Sequence, residues 1–252
     1  MFRPRVIPIL LLKDDGLVKS INYKNHRYIG DPINAVKIFN DLRADELAFL
    51  DITATNENRL ISIDFVREVG DESNMPFSVG GGIKSIQNIR DVINAGAEKV
   101  IINSEAVINP KFIKSAAENF GSSTITISID IKKNFFKKKK IYIRSGTQSV
   151  NINPMDFAKK MEDYGAGEII INSIDKDGMM NGYDLDTINS ISSAVSIPVI
   201  ASCGAGDLED FKKAILSNAS AVAAGSLFVY HGPRKGILIN YPENNELLNL
   251  FK

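Results

Sequence analysis

One cysteine and two histidines in 252 residues leave little room for thiol or metal chemistry. A lone thiol, Cys203, cannot close an intrachain disulfide or anchor a cysteine-cluster metal site. His26 and His231 stand apart, with nothing of metal-site spacing around either, so no metal is expected. An excess of charge is missing too. Thirty basic residues balance thirty acidic ones, which removes a broad electrostatic claim on nucleic acid or on an anionic membrane. No apolar run approaches the about 18 residues of a membrane span, and the opening MFRPR lacks the hydrophobic core of a signal peptide. These absences lead to the expectation of a cytoplasmic, single-domain protein over residues 1–252, with no cofactor.

What is present is alternation. Short β-branched runs, RVIPILLL (5–12), ELAFLDI (46–52), PFSVG (76–80), EKVIINS (98–104), STITISID (123–130), GEIIINS (167–173), IPVIAS (197–202) and ASAVAAGS (219–226), alternate with amphipathic segments. In SIQNIRDVINAG the apolar Ile86, Ile89, Val92 and Ile93 share one helical face, Ser85 is placed to cap and Gly96 to terminate. DLEDFKKAILSN repeats the design, with Asp207 at the cap and Leu208, Phe211 and Ile215 as its stripe. Eight such units in this length predict an α/β protein, a (β/α)8 TIM barrel. A doubly wound open sheet is the competing architecture. No GxGxxG opens the first unit, and eight strands suit closure better.

The chain also repeats internally. Residues 75–107 align without a gap on residues 197–229, an offset that places Gly81 and Gly82 on Cys203 and Gly204, and Ser104 on Ser226. Two half-barrels of four units each are implied. In a barrel, chemistry sits on the loops that follow the strands, and anions bind where backbone N–H groups converge at helix starts. SVGGGIKS and SCGAGDLE are small-residue loops of this kind, contributing Gly81, Gly82, Gly204 and Gly206. The following strands end on Asn103 and Ser104 in one half and on Gly225 and Ser226 in the other. One phosphate site per half would suit an elongated ligand phosphorylated at both ends. The same glycines also suit tight βα turns with no ligand.

Taken together, KDDGLVKSINYK, GDPINAVKIFN, DELAFLDITAT, FSVGGGIKS, GAEKVIINSEAV, ISIDIKK, GAGEIIINSIDKDGMMNGYD and GAGDLED resemble HisF, the cyclase subunit of imidazole glycerol phosphate synthase, over essentially the whole chain. The related isomerase HisA shares the barrel, but FLDITAT and SIDKDG are similar to HisF. The resemblance implies an enzyme that joins ammonia to a bisphosphorylated ribulosyl substrate and closes an imidazole ring, using carboxylates at the ends of the first and fifth strands. Asp130 fills the fifth-strand position. The first-strand position falls on Leu11, which strand alternation from Arg5 points into the barrel mouth. A leucine cannot exchange a proton, and such a group commonly supplies about 10²–10⁴-fold. The neighbouring Asp14 and Asp15 are expected out on the loop.

The resemblance also implies a glutaminase subunit docked at the opposite, N-terminal face, and a ring of alternating charges there, filled here by Arg5, Glu46, Lys99 and Glu168. Such a ring can plug or pass a small neutral molecule, or close the floor as a salt-bridge network. Ser78, with Thr126 and Ser128, would place hydroxyls along the lumen for ammonia. No Cys–His–Glu constellation accompanies Cys203, so a partner HisH-like glutaminase is required. HisF-like proteins of acetamidino sugar modification, which act beside a HisH-like glutaminase and a sugar amidotransferase, are similar at RPRVIPILLLKDDGLVKSINYK and GSLFVYHGPRKGILINYPENN.

Other residues carry paired readings. Lys19 matches a loop lysine that helps close the HisF site, or is an ordinary solvated lysine. Asp51 and Asp177, the latter beside Gly178, orient ligand hydroxyls or bond their own loops. The basic, hairpin-like insertion 132–144 after the fifth strand carries four consecutive lysines, as a solvated turn or as a docking surface for an acidic partner or sugar nucleotide. Three functions follow: an ammonia-delivering HisF-like subunit in acetamidino-sugar formation, a histidine-pathway cyclase that replaces the missing acid, or a non-catalytic scaffold that activates a glutaminase.

Overall fold

The computed structural model of the chain describes residues 3–134 and 138–252. Eight strands, β1 (Arg5–Lys13), β2 (Leu47–Asp51), β3 (Phe77–Gly80), β4 (Lys99–Ile102), β5 (Ile125–Lys133), β6 (Glu168–Ser173), β7 (Val199–Ser202) and β8 (Ala221–Ala224), pair in parallel. Each is bonded to its neighbours in chain order, and β8 returns to β1 through Arg5↔Ala221 to Pro8↔Ala224. The eight strands therefore form a closed (β/α)8 barrel, and closure leaves none of the eight as an edge.

Helices α1 (Pro32–Asp41), α2 (Ile63–Glu72), α3 (Ile86–Asn94), α4 (Lys111–Phe120), α5 (Pro154–Asp163), α6 (Leu185–Ser192), α7 (Leu208–Leu216) and α8 (Asn244–Leu250) follow the strands in turn. Local chemistry starts most of them. Asp31, Ser62, Ser85, Asn153, Asp184 and Asp207 each accept a backbone N–H of the first turn, satisfying a donor the helix cannot. Among the described residues no helix is long and apolar enough to cross a membrane.

Strand alternation divides the core in two. Val6, Leu10, Phe49, Val79, Val100, Ile127 and Ile169 face outward into the layer shared with the helices. Ile7, Ile9, Ala48, Ile101, Ile170, Ile200, Ala221 and Ala223 face inward and fill the lumen, with Leu11 and Leu50 packed on them from above. The repeat holds in three dimensions. The bounds of β3, α3 and β4 recur in β7, α7 and β8 at one constant offset, and the Ser85 cap recurs as the Asp207 cap.

Six of the barrel strands are trimmed by a residue or two from their sequence-based bounds, whereas β1 and β5 run past theirs. Two hairpins stand where loops were expected, and one more falls on the hairpin-like insertion after β5. β1 turns through Asp14 and Asp15, both in the left-handed region, into an antiparallel flap of Gly16–Ile21 and Lys24–Gly30. β5 runs into a second flap, Lys139–Ile143 and Gln148–Val150. A third, small hairpin pairs Tyr230–His231 with Gly236–Ile237. Part of the basic insertion, residues 135–137, lies outside the described residues; Lys133 and Lys139 on either side pair with Asp184 at 3.8 and 3.7 Å.

Candidate functional site

The C-terminal mouth encloses a cavity of about 480 Å3, walled by strand ends of both half-barrels and roofed by the two flaps. Asp130, near the end of β5, is buried on its wall. Tyr23 Oη (3.1 Å), Asn172 Nδ2 (2.9 Å) and Ser128 Oγ (3.4 Å) all donate to its Oδ1. Burial outweighs these donors and pushes the carboxyl up to about 6, so it exchanges a proton near neutrality. Leu11 lines the same cavity with Ile9 and Leu50 and supplies only hydrocarbon. Asp14 and Asp15 stay exposed in the flap's first turn, so neither folds back to replace the first-strand acid.

Lys19 is not the solvated loop lysine that one reading expected. It sits in the first flap's inner strand, nearly wholly buried, and donates through Nζ to the Ile9 carbonyl at 2.7 Å. Burial lowers its ammonium to about 8, against the pull of the Asp177 carboxylate. Asp51 and Asp177 both bond loops. Asp51 accepts from Thr53 and Ala54 and pairs with Arg59 at 2.5 Å. Asp177 accepts from Ser20 Oγ (2.7 Å) and Tyr23 N (3.1 Å), and its carbonyl accepts from Asn22 N (3.0 Å), so it pins the first flap down. Burial raises its carboxyl as well.

The two expected phosphate loops do reach the cavity: Gly81, Gly82, Asn103 and Ser104 from one half, Gly178, Gly204, Gly225 and Ser226 from the other. Gly206 is not among the lining residues, and its N–H is taken by Asp210 at 2.9 Å. Neighbouring loops by themselves require several of these glycines. A Cβ on Gly82 would stand 1.8 Å from the Arg59 carbonyl oxygen, on Gly204 2.4 Å from that of Gly182, and on Gly178 2.1 Å from that of Ser20. Glycine alone therefore does not mark an anion site here. Asn103 donates to the Ser128 carbonyl at 2.9 Å and accepts from Ser104 Oγ at 3.2 Å, while Ser104 Oγ accepts from Arg144 N at 3.0 Å. The second flap thus brings Arg144, which lines the mouth beside Ser104 and has no carboxylate partner among the described residues.

At the floor, Arg5, Glu46, Lys99 and Glu168 form one closed ring. Arg5 bonds Glu46 and, at 2.6 Å, Glu168; Lys99 bonds Glu168 and approaches Glu46 at 3.6 Å. The carboxylates are buried, 6% exposed each, whereas Arg5 and Lys99 keep 33% and 21%. Burial raises Glu46; the same burial on Glu168 is overcome by Arg5 and then Lys99, which hold it below the usual range. Thr126 also donates to Glu168, at 3.4 Å. Ser78 is inward but returns its hydroxyl to the Leu47 carbonyl at 3.3 Å. Between ring and mouth the lumen is the isoleucine and alanine packing described above.

A family model described as histidine biosynthesis protein matches residues 5–233. The chain belongs to the histidine biosynthesis protein family. It is 43% identical over 253 residues to a Leptospira interrogans protein named "Putative imidazole glycerol phosphate synthase subunit HisF", with both chains wholly covered. It is 43% identical over 251 residues to a Pseudomonas aeruginosa protein named in the same way as subunit hisF2, covering 98% of this chain and 99% of that one. To the imidazole glycerol phosphate synthase subunit HisF of Endomicrobium trichonymphae it is 46% identical over 226 residues, 90% of this chain and 87% of that one.

In this HisF-like barrel Asp130, Asp177, Tyr23 and Cys203 cluster at the mouth, while the Lys19 amine lies against the Ile9 carbonyl on the Leu11 strand. Tyr23, Asn172 and Arg144 were not singled out from the sequence. Asn172 could have been, since alternation from Glu168 turns it inward two residues beyond Ile170. Tyr23 and Arg144 ride on flaps, and nothing in their own neighbourhoods in sequence reports what the flap tips touch.

Proposed function

We propose that this HisF-like barrel is the synthase-side subunit of a glutamine-dependent amidotransferase. It receives ammonia at the floor from a HisH-like glutaminase and delivers it at the mouth for acetamidino modification of a bacterial surface sugar, rather than for ring closure. The observation that carries this reading is the mouth: Asp130 is held by three donors, while the facing wall presents the hydrocarbon of Leu11, Leu50 and Ile9 where the first-strand carboxylate would stand. Ring closure that needs an acid and a base on opposite sides of a substrate has only one side furnished. The four-charge floor supports the ammonia role, since a ring of paired charges at a narrow entrance admits a small neutral molecule only by parting.

A second reading, a working cyclase with a substitute for the first-strand acid, draws on one feature. The flap sets the Lys19 amine against Ile9, two residues before Leu11 on the same strand, with its ammonium lowered to about 8. One assay separates the two. The purified chain is given the ribulosyl bisphosphate substrate and saturating ammonium, which bypasses any glutaminase. No turnover in folded protein is the expected result. Turnover that disappears in Asp130→Asn would establish the cyclase, and its loss in Lys19→Met would assign the substitute group.

A further inference from the structure

Tyr23 occupies a position that neither the barrel nor ammonia delivery requires. It stands at the tip of the first flap, at φ +61, next to Asn22 at φ +52. A bulky residue in the left-handed region is uncommon, and persists where its surroundings hold it. Here they do so from three sides. The Tyr23 N–H is bound by Asp177 Oδ2, the Asn22 N–H by the Asp177 carbonyl, and the Ser20 hydroxyl by Asp177 Oδ2 again. The ring lies against the second flap: a Cβ on Gly146 would come within 2.9 Å of Tyr23 Cδ2 and 3.3 Å of Ile174 Cδ1. At its end the phenol donates to Asp130 Oδ1 at 3.1 Å.

We propose that Tyr23 is a flap-borne positioning residue that caps Asp130 with a hydrogen bond and so ties the state of this carboxylate to closure of the flap. Asp130 has three donors, and two of them, Ser128 and Asn172, are fixed in the barrel wall; the third arrives only with the flap. The phenol is a donor at every working pH, because burial and the nearby Asp130, Cys203 and Asp177 keep its proton on. A neutral donor bonds an ionised carboxylate more strongly than a protonated one. Closure and the charge on Asp130 therefore support one another, and by linkage the effect runs equally in both directions. The other titratable groups around Asp130 and Tyr23 are Asp177 beneath the flap, Cys203 at the end of β7 and Lys19 on the flap itself. Asp177 also pins the flap, so its protonation loosens closure by a separate route, through Ser20 and the Tyr23 N–H.

The test needs no substrate and no partner, so it stands or falls independently of ammonia delivery. Side-chain carboxylate carbons of the full chain, labelled at aspartate, are titrated by 13C NMR, with Asp130 assigned by the resonance lost in Asp130→Asn. The wild-type midpoint is expected near 6. In Tyr23→Phe, which keeps the ring against Gly146 and removes only the hydroxyl, the midpoint should rise by about one pH unit, roughly tenfold in proton affinity. Amide exchange of residues 16–30, corrected for its intrinsic pH dependence, should show the flap loosening as pH falls through the Asp130 midpoint. Tyr23→Phe should remove that part and leave the part due to Asp177. An unmoved Asp130 midpoint in folded Tyr23→Phe, or flap protection with the same pH dependence in both proteins, would overturn the proposal.

Discussion

Burial shifts Asp130 and Lys19 towards their neutral forms, and the signs of the two shifts differ. The Asp130 carboxyl, at about 6 against an ordinary value near 4, binds its proton more tightly in the folded chain. Its contribution to stability is complete below about pH 4 and is lost as pH rises through about 6. Asp130→Asn, whose amide oxygen can accept the same three donors, should therefore be more stable than wild type at pH 7.5, on the order of 2 kcal/mol, and no different at pH 4. Urea midpoints at the two pH values measure this. A wild type that is the more stable at pH 7.5 would mean that the three donors outweigh burial. Lys19 is the mirror case. Its lowered ammonium costs stability at pH 7, and the cost disappears as pH climbs from about 8 past about 10. Lys19→Met should stabilise at pH 7 and lose that advantage at pH 10.5. Retaining two such groups in one cavity is the pattern of a site kept for its chemistry rather than for stability.

Among the elements, the eight β/α units were legible because each carries its own periodicity and most carry their own cap. Ser85 and Asp207 cap as their sequences indicate, and Ile89 and Val92 point inward as their spacing requires. Leu11 was legible in the same way, since a strand's alternation is local information. The first flap was not, and the second showed only as a hairpin-like insertion. Their outer strands, KNHRYIG and QSV, are mostly polar and exposed, so no apolar alternation announces them, and the Asp14–Asp15 and Asn22–Tyr23 turns lack the Asn-Gly or Asp-Gly signature at their centres. Tyr23 meets Asp130 across 107 positions of chain, a distance only the folded flap closes. The loop glycines were legible as glycines but not in their cause. Gly82→Ala places a Cβ on the Arg59 carbonyl at a φ of +67, whereas at Gly121, φ +83, nothing stands within 4 Å. Denaturant unfolding should show Gly121→Ala costing about 1 kcal/mol from backbone conformation alone, and Gly82→Ala at least about 2–3 kcal/mol more. Equal costs would mean that the loop carrying Arg59 yields freely.

For the whole molecule, the two ends of one lumen are built on opposite principles. The mouth gathers partly satisfied titratable groups around open space, and the floor gathers charges paired with one another. Between them lies the apolar packing of the lumen. A floor ring kept as a stability device should be hard to replace; a ring kept to govern passage need not be. Removing Lys99 alone leaves two buried carboxylates sharing Arg5, so Lys99→Met should cost about 3 kcal/mol or more in urea unfolding. Adding Glu46→Gln restores a one-to-one balance, because Arg5 and Glu168 still pair at 2.6 Å. The double variant should then recover most of the loss, since buried pairs exchanged for neutral groups of similar size are often no less stable. Recovery to within about 1 kcal/mol of wild type would free the ring from any necessary part in holding the barrel closed and leave the passage of ammonia as its reason to be charged. A double variant as unstable as Lys99→Met would make the ring a strut, and the case for a conduit would then rest on the mouth alone.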